Sequence, residues 1–176
     1  MDNHSRARLA EKITCSVARI GLQGSIMQIV EKGETDFVTT LDISVEQHMI
    51  NLLKSEDPDA LVLGEESWQS ALLNNVRDGR PTWILDPIDG TTNMMNGIHY
   101  NHLMTFIEGG LVQVSVVYVP LTDEMFIAIR DNGAWINRRR IPSIKDYDTT
   151  KGRILYGGVG YSSGLQRIQF AQEIFR

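Results

Sequence analysis

The chain has 176 residues, of which 42% are hydrophobic and 22% are charged, and this is enough apolar material for one complete core. Its net charge of −5 argues against general nucleic-acid binding, and its single cysteine, Cys15, excludes an internal disulfide framework. No apolar run is long enough to span a bilayer and the polar start is unlike a signal peptide, so we expect a cytoplasmic protein.

The first part of the chain predicts two helices. Apolar residues recur at helical spacing from residue 6 to about residue 27, and again from residue 43 to residue 54. Asp42 directly precedes the second segment, and we expect it to cap that helix. A loop over residues 31–36 separates the two helices.

Two short apolar runs follow, and each ends at acidic residues. Residues 60–63 lead into Gly64-Glu65-Glu66-Ser67, and residues 83–85 lead into Asp86-Pro87-Ile88-Asp89. Both runs predict buried strands. Because proline cannot donate to a sheet ladder, we expect the second strand to end at Asp86 and a turn to bring Asp89 back toward it.

The acidic residues at these strand ends can hold a divalent cation. Carboxylate oxygens are hard ligands that suit Mg²⁺, and two ionised carboxylates repel each other unless a cation lies between them. Gly90, Thr91 and Thr92 then open a predicted helix, and unpaired N–H groups at a helix N-terminus bind phosphate oxygens. The pattern therefore indicates a metal ion beside a phosphate group.

After this helix the chain predicts four strands, at residues 103–107, 111–119, 125–130 and 134–136. Turn sequences at residues 109–110 and 131–133 are typical of hairpins, which place neighbouring strands antiparallel. We therefore expect an α+β fold in which an N-terminal helix pair packs on one face of a largely antiparallel sheet. A polar linker near residue 150 separates a first domain, residues 1–150, from the start of a second α/β domain at residues 151–176, with a strand at 153–156 and a helix at 165–176.

Three motifs together make the chain resemble the Mg²⁺-dependent, lithium-sensitive inositol monophosphatase family. They lie at residues 36–42, 64–67 and 86–93, in the family's order and at about its spacing. The resemblance implies the fold of that family and hydrolysis of an inositol phosphate, or a related small sugar or alcohol phosphate, by metal-activated water. It also implies two or three Mg²⁺ ions, with Mn²⁺ as an alternative, and we expect a homodimer.

The resemblance also implies a role for each residue that matches a motif. It implies that the side-chain carboxylates of Glu65, Asp86 and Asp89 bind metal, together with the main-chain carbonyl of Ile88. Asp42 and Thr91 orient and deprotonate the attacking water, with Glu65 as a third catalytic residue. The N–H groups of Gly90 and Thr91 hold the phosphate, followed by Thr92 in the substrate-binding segment. Lys32 matches a lysine on a mobile loop near the site.

Simpler interpretations stay open for each motif. Asp-Pro and Asp-Gly pairs are ordinary turn formers, Asp42 can cap a helix without any chemistry, and Thr92 can do no more than start its helix. A haloacid dehalogenase phosphatase is a further alternative, because its Asp-x-Asp-Gly-Thr motif also follows an apolar strand. There the two aspartates are two residues apart, whereas Asp86 and Asp89 are three apart with a proline between them.

Other polar residues predict no second site. His99 and His102 lack a partner cluster, and a structural role is favoured over binding of a soft metal. The basic run at residues 138–140 predicts a solvated loop. Sugar, inositol, amino-alcohol and nucleotide phosphates all stay open as substrates.

The end of the chain departs from the family's pattern. In the family a second domain follows, and a Trp-Asp motif in it supplies the aspartate that completes the metal site. No such residue is present here, so we expect a truncated or fragmentary member whose last helix exposes an apolar face. The alternative function is a non-catalytic remnant that binds a cation or a protein partner.

Overall fold

The computed structural model describes residues 1–21, 29–31, 37–67, 74 and 76–142. Its elements come in this order: α1 (Asn3–Gly21), β1 (Ile29–Glu31), β2 (Phe37–Thr39), α2 (Thr40–Glu56), β3 (Leu61–Gly64), β4 (Thr82–Asp89), α3 (Thr91–Met95), β5 (Asn101–Glu108), β6 (Leu111–Val119), β7 (Glu124–Ile129), β8 (Gly133–Ile136) and β9 (Arg139–Arg140). Lys32, the domain boundary near residue 150 and the elements predicted beyond it lie outside the described residues.

Seven of these strands form one sheet in the order β3-β4-β5-β6-β7-β8-β9. β3 and β4 are parallel, and every other neighbouring pair is antiparallel. Gly109 (φ 62°) and Gly110 (φ 72°) join β5 to β6 in the predicted hairpin, since both adopt the left-handed conformation that a two-residue turn requires. Residues 130–132 join β7 to β8 in the second predicted hairpin, and Gly133 already begins β8. β1 and β2 form a separate antiparallel pair.

The core lies between the two long helices and the sheet. α1 packs on α2 and on β5, β6 and β7, while α2 also packs on β4. On each helix apolar side chains are buried at intervals of three or four residues, and they include Ala7, Ala10, Ile13 and Val17 on α1 and Val45, Met49 and Leu53 on α2. They cover a sheet surface that includes Trp83 and Phe106, whose ring centroids are 5.1 Å apart. The predicted α+β class is confirmed.

Both long helices begin three residues earlier than predicted. α1 starts at Asn3 because Asp2 caps it, with its Oδ1 accepting the N–H of Ser5 at 2.7 Å. α2 starts at Thr40, directly after β2, so the prediction that Asp42 caps this helix is wrong. Asp42 instead lies in the first turn, where the helix dipole stabilises a carboxylate. The last part of the first predicted helix, residues 22–27, lies outside the described residues.

The prediction that the strand containing Trp83 ends at Asp86 is wrong. β4 continues to Asp89 with a bulge, because Asp86 pairs with Leu103 while Asp89 pairs with Asn101. Three steps along β4 therefore match two steps along β5. Pro87 lies inside this irregular stretch, where its missing N–H interrupts no regular ladder.

The basic run at residues 138–140 is not simply a loop. Asn137 (φ 46°) and Arg138 (φ 67°) form a tight turn, and Arg139 and Arg140 then pair with β8 as the short edge strand β9. Both of these arginines are exposed, which agrees with the prediction that the run is solvated. No helix in the described ranges is long and apolar enough to cross a membrane.

Candidate active site

The parallel pairing of β3 with β4 brings the two acidic motifs together. Gly64, the last residue of β3, pairs with Leu85 of β4, so Glu65 and Asp86 follow side by side at one edge of the sheet. The N–H of Glu65 donates to the carbonyl oxygen of Leu85 at 3.1 Å, which extends the pairing by one residue. The register of β3 on β4 therefore fixes the backbone positions of Glu65 and Asp86, from which the two carboxyl groups extend.

Asp86 is a half-buried carboxyl group held against other acids. Burial is the main cause that raises its pKa to about 8, followed by a hydrogen bond with Glu65, the charge of Glu65 and then the charge of Asp89. The Oδ1 atom of Asp86 is buried and has no hydrogen-bond partner among the described residues. A hard cation would supply both the missing partner and the missing positive charge, so these residues fit Mg²⁺.

Asp89 lies at the rim of this group. Its side chain is exposed, and its Oδ2 accepts a hydrogen bond from Asn101 Nδ2 at 3.1 Å across the bulge. The charge of Asp89 acts on Asp86, yet in the described part of the chain no three acidic, histidine or cysteine side chains form a ready metal-binding group. The structure therefore brings Glu65 and Asp86 together and leaves Asp89 beside them. Mg²⁺ tolerates such a site because it usually keeps several waters.

Asp42 and Thr91 are joined although 49 residues separate them in sequence. The Oγ1 of Thr91 donates to the Oδ1 of Asp42 at 2.8 Å and lies 3.2 Å from the carbonyl oxygen of Ile88. Asp42 is 1% exposed, so its carboxylate is buried where Thr91 reaches it. The first turn of α2 thus supplies a buried carboxylate to the hydroxyl that follows β4.

The segment predicted to hold phosphate forms a short helix. Gly90 precedes α3 in the left-handed conformation (φ 92°), and no side chain caps the helix. Thr92 is exposed, while the side chain of Ile88 is buried and anchors the strand that leads into the segment. Gly90 and Thr91 therefore follow directly on β4, and Thr91 makes the contact with Asp42.

His102 proves to be a core residue. It is fully buried, its Nδ1 contacts the carbonyl oxygen of Pro87, and its ring meets that of Tyr100 edge-on. Burial lowers the pKa of His102, so the ring is neutral near pH 7. The structural role predicted for this histidine is confirmed, and His99 is exposed.

Glu46 is a site residue that the sequence reasoning missed. It is 3% exposed, and its Oε2 accepts the N–H of Glu66 at 2.7 Å, directly after Glu65. The available signal was its position four residues after Asp42, on the face of α2 that also carries Val45 and Met49. An acid on the apolar face of a helix needs a buried partner.

Comparison with known proteins gives a consistent result. A family described as "Inositol monophosphatase family" matches residues 4–175. An inositol monophosphatase of Dictyostelium discoideum is 34% identical over 151 residues, covering 85% of this chain and 54% of that protein. A protein called Nus factor SuhB from Vibrio cholerae is 34% identical over 142 residues, covering 79% of this chain and 52% of that protein.

Solved structures agree at the level of the fold. The structure of an IMPase from Thermotoga maritima superposes with a TM-score of 0.70 at 25% identity, covering 81% of this chain and 55% of that one. The chain therefore spans about half the length of the curated relatives and of the solved structure that it matches.

Proposed function

Since the chain belongs to the inositol monophosphatase family, we propose that its site serves the Mg²⁺-dependent hydrolysis of a small phosphate monoester, an inositol phosphate or a related sugar or alcohol phosphate. The observations that carry the proposal are two side-chain pairs next to the C-terminal ends of β3 and β4. Asp42 and Thr91 are joined at 2.8 Å, and Glu65 is hydrogen-bonded to Asp86.

The metal would be held by residues at the ends of β3 and β4. Glu65, Asp86 and Asp89 supply carboxylate oxygens, and Ile88 supplies its carbonyl. When bound, Mg²⁺ acidifies water and neutralises charge on phosphoryl oxygens. The protein itself then has mainly to position the reacting groups.

The proton of the attacking water would leave through Thr91. Its hydroxyl donates to the buried carboxylate of Asp42. The lone pairs of Oγ1 can then accept a hydrogen bond from the attacking water. Asp42 takes up the proton that Thr91 passes on, and the N–H groups of Gly90 and Thr91 hold the phosphate. No side-chain nucleophile is required in this scheme.

Several finer properties belong to the same proposal. We infer two or three Mg²⁺ ions with Mn²⁺ as an alternative, inhibition by lithium, a homodimer and a cytoplasmic location. We also infer that residues 1–150 form the metal- and phosphate-binding domain and that residues 151–176 begin a second one. The substrate stays defined only as a class.

A non-catalytic role is the second candidate. One matched relative, from Vibrio cholerae, is called a Nus factor rather than a phosphatase. A family member of this kind would bind a cation or a protein partner without turnover. Magnesium binding without phosphate release would favour it.

Replacement of Asp89 by asparagine tests the proposed chemistry. We expect Asp89→Asn to abolish Mg²⁺-dependent phosphate release and to leave the fold intact, because this side chain is exposed and its replacement removes no core contact. Phosphate release is measured while Mg²⁺ is varied, with circular dichroism as the check on folding. Asp131→Asn is the matched control, since Asp131 is 91% exposed in a distant turn. Unchanged turnover in Asp89→Asn would remove this residue from the mechanism.

A further inference from the structure

Glu46 is a buried acid for which the proposed chemistry has no use. Its side chain is 3% exposed and lies on α2 among Val45 and Met49, which are fully buried. A carboxylate in such surroundings is costly unless hydrogen bonds satisfy its oxygens. The structure supplies one of them from the loop that carries Glu65.

Two main-chain hydrogen bonds hold Glu65 from both sides. Its own N–H donates to Leu85 of β4 at 3.1 Å, and the next N–H, that of Glu66, donates to Glu46 Oε2 at 2.7 Å. The first bond ties the loop to the sheet and the second ties it to α2. The backbone of Glu65 is therefore fixed relative to both elements.

We propose that Glu46 is a positioning residue for Glu65. By accepting the N–H of Glu66, it holds the loop at residues 64–67 so that the carboxyl group of Glu65 stays against Asp86. The effect of this hydrogen bond on metal binding rests on the function proposed above, whereas its effect on the loop does not. Glu46 itself touches neither metal nor substrate.

The glycine before Glu65 fits this role. A Cβ atom placed on Gly64 would lie 2.5 Å and 2.6 Å from the two carboxylate oxygens of Glu46, closer than real Cβ contacts come. The carboxylate therefore rests directly on the Gly64 backbone, and any side chain there would push it away from Glu66. The Gly-Glu-Glu sequence is thus the other half of the Glu46 contact.

One helix consequently sets both halves of the site. Asp42 and Glu46 are four residues apart and lie on the same buried face of α2. Asp42 bonds to Thr91 after β4, and Glu46 bonds to the loop after β3. The distance between the water-activating pair and the acidic pair is then fixed by a single rigid element.

Amide hydrogen exchange and magnesium calorimetry on the full chain test the proposal. In Glu46→Ala we expect the amides of residues 65–67 to exchange at least about tenfold faster, and Mg²⁺ to bind about 10–100-fold more weakly, as is typical when a residue supporting a metal ligand is lost. Glu46→Gln should retain most of the exchange protection and of the Mg²⁺ affinity, because its amide oxygen still accepts the hydrogen bond from the N–H of Glu66. Gln47→Ala, an exposed neighbour on α2, is the matched control and should change neither.

Each result bears on one claim. Unchanged exchange at residues 65–67 in a folded Glu46→Ala chain overturns the proposal, whether or not magnesium binds. Unchanged Mg²⁺ affinity in that variant, with the parent chain binding normally, overturns the metal part of it. If exchange responds but the parent chain binds no magnesium, the positioning role stands and the proposed phosphatase function fails.

A double replacement adds an independent check. Gly64→Ala should reproduce the effects of Glu46→Ala, because the new methyl group displaces the carboxylate, and it also serves if Glu46→Ala does not fold. In the Glu46→Ala background, Gly64→Ala should change amide exchange and Mg²⁺ affinity little further, since no carboxylate is left to displace. Fully additive effects would show that Gly64 and Glu46 act separately and would contradict the proposed contact.

Discussion

Asp86 shows most clearly how a single residue can oppose the stability of its own fold. Its carboxyl group is half-buried, lies against Glu65, feels the charge of Asp89 and keeps a buried oxygen without a partner among the described residues. Folding therefore favours its protonated form. A group that destabilises the metal-free protein in this way is typical of a binding site.

The raised pKa gives a pH dependence of known sign. In the metal-free chain the pKa of Asp86 is about 8 when folded, against an ordinary value of 3.8, so between these values the folded state holds a proton that the unfolded state has lost. The stability contributed by that proton is complete below about pH 4 and disappears as the pH rises toward 8. We expect the free energy of unfolding in urea to fall over this interval and Asp86→Asn to flatten the fall.

The pH dependence of Asp86→Asn also shows which result would contradict this prediction. Asparagine cannot titrate, so a pH dependence in Asp86→Asn as steep as that of the parent would assign the effect to other groups. Asp131→Asn is again a suitable control, because its exposed carboxylate in a distant turn should leave the slope in place.

At the scale of elements, the features that could be predicted from the sequence are those that depend on neighbouring residues alone. The Gly109-Gly110 hairpin followed from residues that tolerate positive φ, and residues 111–119 were predicted as a strand with the same bounds that β6 has. The start of α2 was missed because β2 runs into it without a loop, which no local pattern signals. The bulge at Pro87 was missed because proline predicts an interruption without saying whether the strand resumes.

The candidate site divides along the same line. Glu65, Asp86 and Thr91 stand out because acids and small hydroxyl residues follow apolar runs. Glu46 did not, because its place on the apolar face of α2 signals a buried acid but does not identify the group that it bonds to. Its partner, the N–H of Glu66, is 20 residues away in sequence and near only in the folded chain.

α2 should separate stability from function along its length. Leu53 is fully buried near the end of the helix remote from Asp42, about 16 Å away at 1.5 Å per residue. We expect Leu53→Ala to lower the free energy of unfolding by about 2–5 kcal/mol through the cavity it leaves. Its Mg²⁺ affinity should equal that of the parent, because the first turn of α2 keeps its contacts.

Urea unfolding and magnesium calorimetry check this prediction. Asn51→Ala, an exposed position on the same helix, should change stability by no more than about 0.5 kcal/mol. Weaker magnesium binding by a folded Leu53→Ala chain would mean that packing at the far end of α2 sets the site as well.

At the scale of the whole molecule, the described part exposes several large apolar side chains. Besides Met1, five of them are about half exposed, namely Ile43, Ile98, Leu111, Val112 and Leu121. Leu111 and Val112 are neighbours at the start of β6, next to the Gly109-Gly110 turn, and both are exposed. Exposed large apolar side chains of this kind are candidate contacts between subunits.

We therefore predict that the chain associates with itself. Sedimentation equilibrium should give about twice the monomer mass of 19.8 kDa, with dissociation on dilution if the contact is weak. Replacement of both Leu111 and Val112 by polar residues should weaken the dimer. A monomer mass at every concentration would contradict the prediction.

The bulge in β4 has one more consequence, which concerns the parity of the strand. Side chains of a regular strand alternate between its two sides, so residues an odd number of positions apart point in opposite directions. Asp86 and Asp89 are three positions apart, yet the residues between them, Pro87 and Ile88, are both buried while the two aspartates are not. The extra residue resets the alternation and returns Asp89 to the side of Asp86. An odd spacing thereby acts as an even one, whereas a regular strand without the bulge would turn a carboxylate three positions after Asp86 to the opposite side, toward the apolar core.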